Sequence, residues 1–281
     1  MDRKEVKKLA VTAAKARLLA VEAVHRCASG HPGGSLSVMD ALTVLYFHTM
    51  RIDPANPADP DRDRFVLSKG HCTPALYSIL ALRGYYDVKE LELFRSIDGH
   101  MSGHPDMVNV KGVDMSTGSL GQGISAAVGM ALAGKLDGKD YRVYAALGDG
   151  EIEEGQVWEA AMFAAAKKLD NLCIVVDNNN LQIDGTIEEV NSPYPIPEKF
   201  EAFGFNVIQI DGHDLDQIDA AFTAARACKG KPTAIIQKTV KGKGVSYMEN
   251  QVAWHGSAPN QEQRDQAFAE LQAVLNGLEE G

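Results

Sequence analysis

Asp149 stands between Gly148 and Gly150, and Asn179 is the middle one of three consecutive asparagines, Asn178-Asn179-Asn180. A carboxylate, an amide oxygen and a nearby main-chain carbonyl are hard oxygen donors. They suit Mg²⁺ or Ca²⁺ better than zinc, which favours sulfur and imidazole. Gly150 lets backbone amides come close to an anion, and a helix starting just beyond it points its positive end there. Together these residues suggest a metal holding a diphosphate. A plain turn is the alternative, because Gly-Asp-Gly often closes a strand and asparagines often fill loops. The acid-rich start of the next helix and the asparagine run at this spacing favour the site.

Five histidines lie outside any regular apolar pattern. His31 is framed by Gly30, Pro32, Gly33 and Gly34, and His71 follows Lys69-Gly70. His100 and His104 share a glycine-rich loop, with Pro105 holding the backbone of His104 extended, and His255 lies in a long late loop. An imidazole that titrates near neutrality suits proton transfer. A surface role for His31 and a helix-capping role for His71 are the competing readings, and one histidine of the 100/104 pair is expected to be idle.

The elements that must carry these residues are legible around them. Val143 to Leu147 is a short apolar run ending at Gly148-Asp149-Gly150. Val157, Ala160, Ala161, Ala164 and Ala165 recur at helical spacing, and Leu172 to Val176 is a second apolar run. A strand–helix–strand unit of this length is a right-handed crossover, so both strands end on one edge of a parallel sheet, where open α/β folds bind ligands. Arg64 to Ser68 reads as a further buried strand delivering His71 to the same edge. Phe205 to Ile210 and Pro232 to Lys238 read as two more.

Helices are expected over 2–28, from about Ser37 to Met50, and over 74–83, Leu215 to Cys228 and Gln261 to Leu278. Ser29 to Ser35 is expected to break helix periodicity altogether. The segment 53–63, rich in proline and aspartate, reads as a solvated turn. Ser116 to Leu136 reads as a glycine-rich loop running into a helix of small residues. Ala126, Ala127, Gly129, Ala131 and Ala133 on that helix suggest close packing on another helix, as at a subunit interface. Gly118, Gly121 and Gly123 look like a nucleotide cradle, but no strand precedes them as a dinucleotide loop requires. Lys238, Lys241 and Lys243 follow the last strand; they could line an anionic site, although exposure is the default for lysine.

The 281 residues are 45% hydrophobic and 23% charged, ordinary for a globular chain able to bury a large core. A formal net charge of −10 argues against a general nucleic-acid surface but not against small anionic substrates. No stretch approaches a membrane span, and the start reads as an amphipathic helix rather than a signal peptide. Four cysteines without CxxC spacing fit buried thiols in a reducing cytoplasm.

Seven segments carry a resemblance along nearly the whole chain. SGHPGG, LSKGH, SGHPD, TGSLGQG, GDGEIEEG, NNNLQIDG and AWHGSAP follow one another in the order found in transketolases. The pair of GDG and a later Asn resembles the thiamine-diphosphate motif more generally. The chain is thus similar to the diphosphate-binding domain of transketolase, a single α/β domain spanning 1–281 whose parallel sheet carries helices on both faces. Transketolases continue with a pyrimidine-binding domain and a C-terminal domain, and this sequence stops at Gly281. The resemblance therefore implies a separate C-terminal partner chain, in an α₂β₂ assembly with each site at a chain interface. That partner would carry the glutamate that activates the cofactor and the basic grip on the sugar phosphate.

By the same resemblance, Asp149, Asn179 and the Leu181 carbonyl would hold Mg²⁺ or Ca²⁺. Gly150 would donate its amide to the diphosphate with Glu151 beside it, and His71 and His255 would contact diphosphate oxygens. The Gly118-Ser119-Leu120 backbone would line the cofactor. His31, His104 and His255 would bind the ketose oxygens and move protons, and Glu154 would link the two centres across the interface. Ser119 stands where many relatives have proline, and Leu181 where some have isoleucine, which is harmless because the carbonyl is what serves. The implied reaction moves a glycolaldehyde unit from a ketose phosphate to an aldose phosphate, in pentose phosphate metabolism or a specialised sugar pathway. Rival readings are another thiamine-diphosphate enzyme, such as a 2-oxo acid dehydrogenase alpha chain or a deoxyxylulose-phosphate synthase, and a non-catalytic partner subunit. The dehydrogenase lacks the four-histidine pattern, and retention of metal ligands and histidines argues against a silent subunit.

Overall fold

The structure, a computed structural model, describes residues 1–280. Five strands form one wholly parallel sheet: β1 (Arg64–Leu67), β2 (Val143–Gly148), β3 (Leu172–Asn178), β4 (Asn206–Asp211) and β5 (Thr233–Lys238), in the order β1-β2-β3-β5-β4. The register sets Gly148 beside Asp177 and Asn178 beside Lys238, so the carboxyl ends of β2, β3 and β5 are level. Strand alternation sends residues to two cores. Tyr144, Ala146, Cys173, Val175 and Ile235 face one side; Val143, Ala145, Leu147, Ile174, Val176 and Ile236 face the other. Burial on both faces is why these strands read as unbroken apolar runs.

The first face is covered by α1 (Arg3–Arg26), α3 (Met39–Val44), α4 (Thr73–Arg83) and α9 (Leu215–Ala227). The Asp2 side chain caps α1 by accepting from the Glu5 amide, and Leu9, Ala13, Ala16, Ala20 and Val24 recur at helical spacing along its buried stripe. The second face is covered by α5 (Gln122–Leu136), α6 (Gly155–Ala166) and α8 (Ile196–Ala202). The last helix, α10 (Gln261–Glu280), folds back along α1, burying Leu271 and Ala267 with Val21 and Leu36. Helices thus flank both faces of the sheet, as expected.

Three local readings change. Helix begins not near Ser37 but at Pro32: α2 (Pro32–Ser37) bends at Val38 into α3, which ends in a π turn over Leu45–Thr49. Pro32 fits the first turn, where no amide partner is needed. Gly33 and Gly34 serve close packing rather than a loop. A Cβ at Gly33 would stand 2.7 Å from the Trp254 carbonyl oxygen, and one at Gly34 2.8 Å from Cys72 Sγ.

The connection after the asparagines carries two short helices. It holds α7 (Ile187–Asn191), started by a Thr186/Glu189 capping box, and then α8. On α5 the small residues divide: Ala127 and Ala131 pack inward, whereas Gly129, Ala133 and the neighbouring Leu136 face outward. Cys72 and Cys173 are buried, Cys27 and Cys228 half-buried, and all four are free thiols.

Candidate active site

The carboxyl edge of the sheet gathers the chemistry. β2 delivers Asp149 and Gly150, β3 delivers Asn179 and Leu181, β1 delivers Lys69 and His71, and β5 runs on to Lys241. Residues of this set, with His31 ahead of α2 and His255 after the 3-10 turn Val252–Trp254, enclose a cavity of about 210 Å³. Ring centroids of His31 and His71 are 5.2 Å apart, of His71 and His255 5.1 Å, and of His31 and His255 5.5 Å. His104 stands 6.3 Å from His31, and a Cβ at Gly118 (φ +152) would lie 3.2 Å from its ring. Four of the five singled-out histidines therefore form one cluster. His100 does not join it and pairs with Glu90 at 3.1 Å.

Asp149 is 2% exposed. Its carboxylate accepts from the amides of Gly150 (2.9 Å) and Asn180 (2.6 Å) and from Asn178 Nδ2 (3.1 Å). Burial first, and then the nearby Asp177 carboxylate, push its pKa up to about 6. The Asn179 side chain bridges onward, Oδ1 accepting from the Leu181 amide and Nδ2 donating to Asp177. The Leu181 carbonyl accepts from Lys241 Nζ at 2.9 Å. Lys241 Nζ also lies 2.8 Å from His255 Nδ1, which leaves the ring proton of His255 on Nε2 when the lysine is charged.

Burial brings Lys241 down to about 8, against the opposing pull of the nearby Asp149 carboxylate. Beneath it Lys69, 1% exposed, donates to Asp177 and to the Gly34 carbonyl. Asp177 also accepts from Ser37 Oγ (2.6 Å) and Thr239 Oγ1. Burial opposes the charge of Asp177, but the Lys69 ammonium outweighs it and holds the carboxyl below its ordinary range.

The remaining expected site residues lie at the margin. Glu151 lines the cavity, but its buried carboxylate accepts from Ser68 Oγ and from the amides of Gly121 and Gly148. Leu120 lines the cavity, and Ser119 is exposed. Glu154 is exposed at the start of α6, its Cβ 2.8 Å from where a Cβ of Gly121 would be. Lys69, Asp177 and Gln182 carry no role that the sequence reveals, whereas Lys241, buried against the cavity, takes the anionic-site alternative rather than the exposure usual for lysine. The signal for both lysines is their place just past a strand end, in KGH and KGKG.

The histidines carry a pH signature. Burial is the main cause that lowers His31 to about 4, His255 to about 3, and His71 well below its ordinary value. A base whose folded pKa is depressed binds fewer protons folded than unfolded below about pH 6.5, so stability falls as pH drops through that point. Asp149, raised to about 6, acts in the opposite sense between about pH 6 and its unfolded pKa of about 3.9, and Glu151, also raised by burial, acts with it, against four imidazoles including His104 that are depressed. The chain alone is expected to lose stability from pH 7 to pH 5, with a smaller loss in His71→Gln. Urea midpoints at the two pH values measure this; equal midpoints would contradict neutral buried imidazoles.

Comparison with known proteins agrees with this geometry. Residues 7–272 match the family model described as transketolase, thiamine diphosphate binding domain. The chain is 47% identical over 256 residues to a 6-deoxy-6-sulfo-D-fructose transketolase subunit SqwG from a Clostridium species, covering 91% of this chain and 93% of that one. It is 42% identical over 275 residues to one of the apulose-4-phosphate transketolase subunits of Phocaeicola vulgatus, covering 98% of both. The crystal structure of transketolase from Campylobacter jejuni superposes with a TM-score of 0.90 at 34% identity, covering 99% of this chain and 46% of that one. The chain thus spans less than half of that transketolase but nearly the whole length of two relatives named as subunits. It belongs to the transketolase family, as the thiamine-diphosphate-binding portion and at the length of those subunits.

Proposed function

We propose that the chain holds thiamine diphosphate by its phosphate end and, with a partner chain, transfers a two-carbon glycolaldehyde unit from an anionic ketose to an aldose. The observation that carries this is the convergence of Asp149, Asn179 and the Leu181 carbonyl on the same cavity as His31, His71 and His255. Among the described residues Asp149 forms no ion pair, so a buried carboxylate faces the cavity with only neutral donors in hydrogen-bonding contact. That donor set fits a divalent cation, Mg²⁺ or Ca²⁺, which would relieve the burial that raises the acid. The Leu181 carbonyl is already directed at a positive charge, the Lys241 ammonium. Lys241 and the amide of Gly150 would meet diphosphate oxygens.

When bound, thiamine diphosphate supplies the electron sink that lets a carbon–carbon bond beside a carbonyl break. The chain supplies the rest at its own atoms. Neutral His31 and His104 present one donor and one acceptor nitrogen each, so they can orient sugar hydroxyls and take or return a proton. His71 and His255, kept neutral by burial, can hydrogen-bond phosphate oxygens without bringing in a second full charge. The two subunit relatives are named for different anionic sugars, one sulfonated and one phosphorylated. Residues of this chain would then serve the part such sugars share, with the anionic end read elsewhere.

A C-terminal, pyrimidine-binding partner is supported by those subunit names and by exposed apolar side chains beside the cavity and along the helices of the second face. Ile183, beside the cavity, is 66% exposed, and Leu136 and Met162, on the adjacent helices α5 and α6, are 77% and 59% exposed. No described helix is long and apolar enough to cross a membrane. The deciding test mixes the purified chain with a pyrimidine-binding transketolase chain, thiamine diphosphate and Mg²⁺, and follows glycolaldehyde transfer from a phosphorylated ketose. Activity is expected only in the mixture. Full activity from the chain alone would end the two-chain reading.

A further inference from the structure

Arg95 belongs to none of the recurring motifs and lies in irregular chain between α4 and α5. Its backbone adopts φ +53, a conformation unfavourable for a side chain this size, and its amide donates to the Met101 carbonyl at 2.8 Å. The side chain reaches two loops at once. Nη1 donates to Ser29 Oγ at 2.7 Å, just before His31, and Nη2 lies 3.5 Å from the Gly103 carbonyl oxygen, just before His104.

The guanidinium lies so close on the Gly103 backbone that a Cβ there would stand 2.4–2.7 Å from its Nε, Cζ and Nη2. A side chain at that position would push the guanidinium aside. Nε is buried without a partner of its own. The group lines an outer hollow of about 880 Å³, which His104 also lines.

We propose that Arg95 is a positioning residue for the proposed transfer reaction: its planar guanidinium straps the Ser29–His31 loop to the Gly103–His104 loop and sets the separation of the two imidazoles. A lysine cannot replace this fork, because an ammonium on a flexible stem cannot lie flat on one loop while donating to another. The charge has a second effect on the same pair. After burial, Arg95 is the next cause that keeps both His31 and His104 below their ordinary pKa. The other groups facing His31 are His71, His104, His255 and Lys241; those near His104 are His31, Tyr77, whose hydroxyl donates to the His104 carbonyl, and Asp106, whose carboxylate is occupied by Asn109 and the Val108 amide.

The inference rests on the reading of His31 and His104 as substrate-facing groups, so its test has an arm independent of activity. Histidine-labelled full chain, without partner or cofactor, is titrated by NMR as wild type, Arg95→Met and Arg95→Lys. In Arg95→Met the His104 midpoint is expected to rise by about half a unit or more as the neighbouring charge is lost, while Arg95→Lys stays near wild type. In the reconstituted two-chain enzyme both variants are expected to lower kcat, by about 10- to 100-fold, because small displacements of reacting groups cost that much. Affinity for thiamine diphosphate should stay within about twofold.

A wild-type His104 midpoint in Arg95→Met together with unchanged kcat would overturn the proposal. So would loss of kcat that travels with lost cofactor affinity and a lowered melting temperature, which marks a general structural strap. Absence of transfer activity in the wild-type mixture, with the midpoint shifted as expected, would instead strike the functional reading and leave the strap standing.

Discussion

Asp149→Ala is expected to weaken thiamine-diphosphate binding by the reconstituted enzyme at least about 100-fold, since even the outer partners of metal ligands are worth 10- to 100-fold. The physical reason lies in what the carboxylate does before any ligand arrives. It is 2% exposed and raised to about pH 6, so at neutral pH it is a buried anion awaiting a cation. Its substitution removes the only charged member of the oxygen set and leaves the Asn180 and Gly150 amides without their acceptor. Because binding requires the ionised acid, affinity of the wild type for the metal is expected to fall as pH drops below about 6, by up to about tenfold per unit. Titration calorimetry with thiamine diphosphate and Mg²⁺, and Mn²⁺ binding followed by electron spin resonance on the chain alone, check both statements. Wild-type affinity in Asp149→Ala would remove the metal assignment.

That Asp149 and Asn179 meet was legible because each lies just past an apolar run, and parallel strands joined by one helix must end side by side. The pairing of Gly148 with Asp177 is that expectation realised. The histidines are legible for a related reason: each lies outside the apolar patterns beside glycine or proline, and four of the five breaks fall at loop ends near the sheet edge, His100 pairing with Glu90 instead. What stayed hidden depends on contacts between elements distant in the chain. Gly33 and Gly34 read as loop formers, yet they let α2 pack on the Trp254 carbonyl and on Cys72, and nothing local reveals either neighbour. Lys241 is drawn inward because β5 slots between β3 and β4, placing the segment after Lys238 over the ends of β3. Arg95 shows the same limit, since its partners Ser29 and Gly103 come together only once α1 and the histidine loop are docked.

Lys69→Met is expected to be the most destabilising single change near the site, by about 3–5 kcal/mol, because it leaves a partnerless charge in the interior. Asp177 is fully buried and gathers Lys69, Ser37, Thr239 and Asn179, so it joins the ends of β1, β3 and β5 to α2. Ser37 and Thr239 hydroxyls can still donate to it in the variant, but they carry no compensating charge. Asp177 is then driven toward protonation, which implies a pH dependence of definite sign. In the wild type the depressed carboxyl contributes stability above its unfolded pKa of about 3.9, lost as pH falls through its lower folded value. For Lys69 burial works against the charge, but Asp177 raises it overall, so its contribution is complete below about pH 10 and lost only as pH rises through the folded value.

The deficit of Lys69→Met should therefore be greatest at neutral and mildly alkaline pH and shrink as pH falls and Asp177 takes up a proton. Adding Asp177→Leu to Lys69→Met removes the stranded anion and should recover part of the loss, the sign of an interacting pair in a double-mutant cycle. Urea unfolding of the wild type, Lys69→Met, Asp177→Leu and the double variant at pH 5.5 and pH 8 measures the deficit, its pH dependence and the coupling. If Lys69→Met loses less than about 1 kcal/mol and the same amount at both pH values, the pair is incidental to the fold, and the level strand ends on which Asp149 and Asn179 depend are held by the sheet itself.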